Sequence, residues 1–247
     1  MSKTKISVVT VCYNALSSIE KTILSVISQT YSNLEYIIID GCSTDGTIDV
    51  IKKYEGRVTK WISEPDKGIF DAMNKGLDLS TGDWVLFMNA GDVLVSNTII
   101  QSVFKSSELN NYSVIFGDMI AVYPHKCVPV KARPFFKATH KFVPMGFSHQ
   151  SSIVKLEDAK RIKFDLSYKV TADYNMIYKI FMEGGKLYYY EDVISAVTVD
   201  GFSSNNRRLQ LQEIGRIVGY NSKMLIQLKI AIYLMKYKLI KLMNRLK

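Results

Sequence analysis

Apolar residues occur in this chain in short unbroken runs, each followed at once by polar residues. Ile6-Ser-Val-Val-Thr-Val-Cys12 ends at Tyr13-Asn14, and Tyr36-Ile-Ile-Ile39 ends at Asp40-Gly41. A weaker run lies around Val58 to Ile62, and Trp84-Val-Leu-Phe-Met88 leads into Asn89-Ala-Gly-Asp92. Short β-rich runs bounded by Asn, Asp and Gly predict strands buried on both faces. Between them the period lengthens to that of a helix. Ile19, Ile23, Val26 and Ile27 share one face after a cap at Ser17 or Ser18. Thr47 to Tyr54 is helical, and Ile69 to Leu79 turns Ile69, Ala72, Met73 and Leu77 inward. Strand and helix alternate, which predicts an α/β fold with a mostly parallel central sheet flanked by helices.

After Asp92 the alternation loosens. A helix is expected over Ser96 to Phe104 and a strand over Ser113 to Phe116. Tyr123 to Pro144 is a mixed stretch with four of the five prolines, read as strands and loops that build a second half of the site. A helix runs from Val170 to Glu183, stopped by Gly184-Gly185, and Lys186 to Tyr190 is strand-like. Near the C-terminus Met224, Leu228, Ala231, Met235, Leu239, Leu242 and Leu246 recur at spacings of three and four among lysines and arginines, as in an amphipathic helix. The chain divides into a domain over 1–206 and a basic helical tail over 207–247.

Charge sharpens that division. From Arg207 to Lys247 there are ten Lys/Arg and one acid, Glu213, so the tail carries the whole net charge of +9. The preceding 206 residues balance 22 basic with 22 acidic groups. A nucleic-acid binder would carry its basic surface on the folded domain, so no nucleic-acid partner is expected. A basic amphipathic helix suits an anionic membrane interface instead; the alternative is packing on the domain or on a second copy in a homo-oligomer. With 47% hydrophobic and 22% charged residues the composition is that of a globular protein. Cys12, Cys42 and Cys127 form neither a disulfide framework nor a zinc pattern. No signal peptide and no membrane span is visible. The expected location is cytoplasmic, peripheral on the inner face of the cytoplasmic membrane.

Ligands of open parallel sheets bind at the carboxyl ends of the strands. The polar residues there are Tyr13 and Asn14, then Asp40, then Glu64, Pro65, Asp66 and Lys67, then Asn89 and Asp92. Turn chemistry alone explains any one of them, but four strand ends delivering polar groups to one rim favour a site. No G-x-G-x-x-G follows the first strand and no G-x-x-x-x-G-K-[ST] occurs, so a dinucleotide cradle and a P-loop are disfavoured. A bound phosphate would then need a carboxylate-held cation, Mg2+ or Mn2+, and Asp92 is the candidate ligand.

The segments "ISVVTVCYNA", "IIIDGCSTDGT", "EPDKGIFDAMNKGL", "TGDWVLFMNAGD", "GFSHQSS" and "TADYNMIYKIF" resemble, in order and spacing, the family 2 glycosyltransferases of bacterial O-antigen, capsule and exopolysaccharide synthesis. The resemblance covers roughly residues 4 to 203. It implies a GT-A (Rossmann-like) fold, a nucleotide-sugar donor (UDP by family habit), a divalent cation and inversion at the anomeric carbon. Position by position it implies Thr10, Tyr13 and Asn14 in the nucleotide pocket and Asp40 on the base or ribose. Asp66, Lys67 and Gly68 would close over uridine and diphosphate, and Asp71, Asn74 and Lys75 would face the donor. Asn89-Ala90-Gly91-Asp92 takes the place of the D-x-D signature with Asp92 as its only carboxylate and metal ligand. Asp173 would be the base, although the acid that precedes it in the family is Ala172 here. His149 and Gln150 would contact sugar or phosphate, and Gly201-Phe202-Ser203 would close on the diphosphate. Plain alternatives stand beside these: Asp71 and Asp173 as first-turn helix acids, and His149 as a satisfied core histidine.

The reading that results is a metal-assisted, inverting transferase moving a hexose or N-acetylhexosamine to a lipid-linked (polyprenyl-diphosphate) saccharide. The competing readings are a nucleotidyltransferase, which lacks its glycine-rich loop here, and a non-catalytic nucleotide-sugar-binding scaffold.

Overall fold

The computed structural model describes residues 4–105, 107–133, 145–199 and 206–220, and beyond these residues 222, 224, 226–228, 230–232 and 235. The first half alternates as the pattern requires: β1 (Ile6–Cys12), α1 (Ile19–Ile27), β2 (Leu34–Asp40), α2 (Thr47–Lys53), β3 (Lys60–Ser63), α3 (Ile69–Leu79) and β4 (Trp84–Phe87). The second half comprises β5 (Val93–Leu94), α4 (Ile99–Val103), β6 (Val114–Tyr123), β7 (Lys126–Val130), β8 (Ser152–Lys155), α5 (Leu156–Ile162), α6 (Ala172–Met182), β9 (Leu187–Thr198) and α7 (Arg207–Ile217).

The nine strands of the described residues join one sheet, in the order β3-β2-β1-β4-β8-β6-β9-β5, with β7 paired to β6. β3, β2, β1 and β4 are parallel, and their register sets Cys12 beside Asp40 and Asp40 beside Ser63. Their carboxyl ends are therefore level and open on one rim. The parallel order stops at β4. β8 runs antiparallel to it, with Leu86 opposite Ile153, so the residues that precede β8 reach the rim that β4 leaves. From there the sheet is mixed: β6 is antiparallel to β7 and β8 and parallel to β9, and β5 is antiparallel to β9.

Alternate strand residues face opposite layers. Val8, Tyr36, Ile38 and Leu86 pack with Ile19, Ile23, Ile99 and Val103 from α1 and α4. Val9, Ile37, Ile39 and Val85 pack with Met73, Leu77, Ala159 and Met176 from α3, α5 and α6. Burying each of the large aliphatic side chains contributes about 1.5–3 kcal/mol, and two full layers hold the rim rigid.

Some elements differ from the sequence expectation. Ile69 is 44% exposed, and Phe70, Ala72, Met73, Gly76 and Leu77 form the buried face of α3. β6 and β9 run well past the strands expected from Ser113 and Lys186, because Gly117-Asp118 in β6 and Glu191-Asp192 in β9 interrupt the apolar pattern part-way along each strand. β5, β8 and α5 are additional elements, two of them strands of four residues or fewer.

The segment after Arg207 begins as part of the folded body. α7 packs on α6 and buries Leu211, Glu213 and Ile214. Ile226 and Ile230 pack with Leu211, whereas Met224, Leu228 and Met235 are exposed. Residues 134–144, Gly201-Phe202-Ser203 and the tail positions Leu239, Leu242 and Leu246 lie outside the described residues. Among the described residues no helix is long and apolar enough to cross a membrane.

Candidate active site

The rim divides into two groups of residues. The first lies over β1, β2 and β3. Asn14, at a positive φ of 46°, accepts a hydrogen bond through Oδ1 from the Thr44 amide at 2.9 Å and donates its own amide to Ser43 Oγ at 2.8 Å. Asp45 accepts from the Leu16 amide at 2.9 Å, and Thr47 Oγ1 accepts from the Ala15 amide at 2.8 Å. The loops after β1 and β2 are thus bonded into one piece. Tyr13 stands 66% exposed above them. Gly41 lets Asp66 come close: a Cβ there would lie 2.5 Å from Asp66 Oδ2 and 3.4 Å from the Tyr13 ring. Tyr13, Gly41 and Asp66 therefore converge on one corner of the rim, and Asp66 Oδ1 accepts the Gly68 amide at 2.8 Å.

Several expected residues lie under the rim or are engaged within the chain. Thr10 is fully buried and bonded to Tyr36 Oη at 2.9 Å. Asp40 is fully buried, accepting Ser63 Oγ at 2.7 Å and the Ser43 amide at 2.9 Å, so it organises the loop from below. Burial, and then the Asp40 charge, push the neighbouring Cys12 thiol up, which keeps it protonated and unreactive. Asp71 accepts the Lys67 amide at 2.9 Å, in the first turn of α3. Asn74 bonds the Phe164 backbone both ways at 2.8 Å. Lys75 donates to the Pro65 carbonyl at 2.7 Å and pairs with Glu64 at 2.8 Å, which raises its pKa despite partial burial. Lys67 and Gly68 are exposed at the rim.

The second group gathers around the exit of β4. Asn89-Ala90-Gly91-Asp92 is held on both sides. Thr22 Oγ1 of α1 donates to the Asp92 carbonyl at 2.7 Å and accepts the Gly91 amide at 2.9 Å. Thr198 Oγ1 at the end of β9 donates to the Gly91 carbonyl at 3.1 Å. Gly91 has φ +102°, a left-handed backbone that favours glycine. The Asp92 side chain turns inward, 4% exposed, and accepts the Thr198 amide at 3.0 Å and Gln150 Nε2 at 2.9 Å. Burial pushes its carboxyl up, with the Thr198 amide, His149 and Gln150 opposing without cancelling. Beside it, Asn89 Nδ2 lies 3.2 Å from His149 Nε2, and His149 Nδ1 lies 3.0 Å from Asp173 Oδ2. Asp173 sits in the first turn of α6, its Oδ1 accepting the Tyr174 amide at 2.8 Å.

Five of the residues singled out in the sequence, Asn89, Asp92, His149, Gln150 and Asp173, thus form one hydrogen-bonded cluster from three elements. With the Asn89 amide as donor, His149 Nε2 accepts and Nδ1–H donates to Asp173. Thr22, Thr198 and Ser43, which shape this rim, carry no pattern that marks them in the sequence. Among the described residues no group of three or more His, Cys, Asp or Glu side chains is arranged to hold a metal ion.

A family model described as "Glycosyl transferase family 2" matches residues 7–150. The chain is 30% identical over 182 residues to the uncharacterized glycosyltransferase Rv1514c of Mycobacterium tuberculosis, covering 70% of this chain and 67% of that protein. Among solved structures it is similar to S. aureus TarS 1-349 in complex with UDP-GlcNAc, with a TM-score of 0.68, 18% identity and coverage of 87% of this chain and 65% of that one. It is also similar to the mannosyltransferase PcManGT from Pyrobaculum calidifontis in complex with GDP-Man and Mn2+, with a TM-score of 0.65, 20% identity, and coverage of 85% and 61%. The chain spans less than two thirds of either structure, and at these identities the likeness establishes the GT-A fold. The family match runs from β1 through the exit of β4 to His149 and Gln150, the stretch that supplies the first group on the rim and all of the second except Asp173 and Thr198. Fold, motif order and family match agree: this chain belongs to glycosyl transferase family 2.

Proposed function

We propose that the chain transfers a hexose or N-acetylhexosamine, with inversion, from a nucleotide sugar to a lipid-linked saccharide. The donor class is supported by the similarity to structures whose titles name UDP-GlcNAc and GDP-Man; UDP is the preferred base. The observation that carries the reading is the line from Asn89 through His149 to Asp173, with Asp92 and Gln150 beside it. It joins the loop in the D-x-D position to the candidate base across one crevice.

In this reading the nucleoside sits at the corner formed by Tyr13, Gly41 and Asp66, with Asn14, Lys67 and Gly68 around it. The diphosphate extends toward Asn89 and Asp92. Asp173 takes the proton of the acceptor hydroxyl as its oxygen bonds the anomeric carbon, and the bond to the diphosphate breaks on the opposite face. His149 holds the Asp173 carboxylate in position through Nδ1–H.

The residues around Asp92 suit a hard divalent cation. Asp92 is a buried carboxylate whose two hydrogen-bond donors are both neutral, and Asn89 Oδ1 is buried with no hydrogen-bond partner. Both are oxygen donors of the kind Mg2+ and Mn2+ prefer. Held there, such an ion would supply Lewis-acid stabilisation of the charge on the departing diphosphate.

A membrane-facing tail fits a lipid-linked acceptor. Met224, Leu228 and Met235 are 79%, 57% and 64% exposed, on a helix that uses Ile226 and Ile230 for internal packing. That leaves an apolar row outside, in the region with the surplus of positive charge. Flotation with vesicles containing anionic lipid tests this part, with recovery in the soluble fraction refuting it. The catalytic assignment is tested by Asp173→Asn: transfer is abolished while UDP binding persists, and retained turnover by the folded variant would overturn the base.

A further inference from the structure

The acid that the tail contains is buried at the other side of the base. Glu213 of α7 is 1% exposed, and four donors point at its carboxylate. Oε1 accepts the Lys169 amide at 2.8 Å; Oε2 accepts the Val170 amide at 3.0 Å, the Thr171 amide at 3.1 Å and Thr171 Oγ1 at 2.9 Å. Three consecutive amides wrapped on one anion form a concave nest, a geometry that fixes a backbone turn. This turn ends one residue before α6 and two before Asp173. Thr171 is the N-cap of α6, yet its hydroxyl makes no cap bond to the helix; it is given to Glu213. One turn along α7, Arg216 lies over the Tyr168 ring at 5.3 Å, gripping the same loop from its other end.

We propose that Glu213 is a positioning residue for Asp173, which makes α7 a working part of the catalytic centre. The proposal rests on Asp173 being the base. His149 fixes where the Asp173 side chain points, and Glu213 fixes where its backbone starts. A base must be held within a fraction of an ångström of its proton, and a misplacement of about 1 Å can cost about 100-fold in rate. The nucleotide corner is built from the loops after β1, β2 and β3, and none of its residues bonds Glu213. Loss of the nest therefore acts on kcat and leaves donor affinity alone. A purely structural glutamate would lower both together, through the folded fraction.

The test uses the full chain, with kcat for transfer from a UDP-sugar and calorimetric Kd for UDP in Mn2+. In Glu213→Gln the amide NH2 faces backbone N–H groups that it cannot accept. Expected is a fall in kcat of about 10- to 100-fold, a Kd within twofold of the parent, and partial recovery of kcat in Glu213→Asp. A kcat within twofold of the parent, or kcat and Kd worsening in step, overturns the proposal. If Glu213→Gln does not fold, Thr171→Val removes one of the four donors and must still lower kcat at constant Kd; unchanged kcat there overturns it too. Asp173→Asn in the same assay separates the two readings. If that variant turns over, the base assignment falls and this proposal with it; if it is inactive and Glu213→Gln is not impaired, only the role of Glu213 falls.

Discussion

His149 Nδ1 lies 3.0 Å from Asp173 Oδ2, and the opposite nitrogen of the same ring lies 3.2 Å from Asn89 Nδ2. The imidazole is a strut between the loop leaving β4 and the first turn of α6, with about a fifth of its surface open to solvent. Replacing it should loosen Asp173 without dismantling either element. His149→Ala is expected to lower kcat by about 10- to 100-fold, the range in which positioning contacts act, with a smaller change in UDP affinity. Steady-state kinetics beside calorimetry decides it; equal losses in both would assign His149 to the donor instead.

Asp92 carries the charge at the centre of the second group. Asp92→Asn keeps an oxygen to accept the Thr198 amide but removes the anion. UDP binding in the substituted protein should lose most of its stimulation by Mn2+, by about 10-fold or more for a single lost carboxylate ligand, with the melting temperature little changed. Titration of UDP with and without Mn2+ measures this, and full retention of the stimulation would remove Asp92 as the ligand.

Gly41 is open to a steric test. A methyl group at this position meets Asp66 Oδ2 at 2.5 Å, so Asp66 and the Tyr13 ring must move apart. Gly41→Ala is expected to weaken UDP binding by about 10-fold, the scale of roughly 1.4 kcal/mol lost from one contact corner, and to spare the fold. Unaltered affinity would move the nucleoside away from this corner.

Acid stability should depend on Glu35, near the amino end of β2 and so at the opposite end of the strands from the rim. Burial raises its pKa, but Lys5, Ser7 and Thr81 more than offset this and hold it at about 2, against 4.5 for the free side chain. Its stabilisation is therefore complete above pH 4.5 and is lost as pH falls from there towards 2, about 3 kcal/mol in all. Glu35→Gln should be less stable than the parent at pH 7, and the gap should shrink through that window. Urea melts at pH 7, 4 and 3 give the answer; a gap independent of pH would contradict it.

The donor half was legible in the sequence because β1, β2 and β4 are buried on both faces and so leave unbroken apolar runs that end in turn signals. β3, at the sheet edge, leaves a weaker run with the same ending. Tyr13, Asn14, Asp66, Asn89 and Asp92 follow from that rule alone. The other half was harder to read. β8 has four residues and pairs with β4 against the parallel order, and Gly117-Asp118 splits β6 into two apolar runs, so neither reads as one continuous strand. His149 and Asp173 were found through the spacing of motifs, with periodicity contributing nothing. Asn74 and Lys75 share a polar face of α3, and spacing does not reveal that Phe164, Pro65 and Glu64 would take up their polar atoms. Glu213 leaves one signal, a lone acid among ten basic residues, in the segment expected to be a basic amphipathic tail. Three of its four donors are backbone amides more than forty positions away, which have no signature in side-chain chemistry.

Since β8 runs against β4, the residues it offers to the crevice are those that arrive before the strand, while β1 to β4 offer those that depart. The two halves of the cleft thus belong to stretches of chain that can vary separately. Substituting His149 or Gln150 acts on Asn89, Asp92 and Asp173 and leaves the loops after β1, β2 and β3 as they are, so one side of the cleft can be rewritten without rebuilding the other.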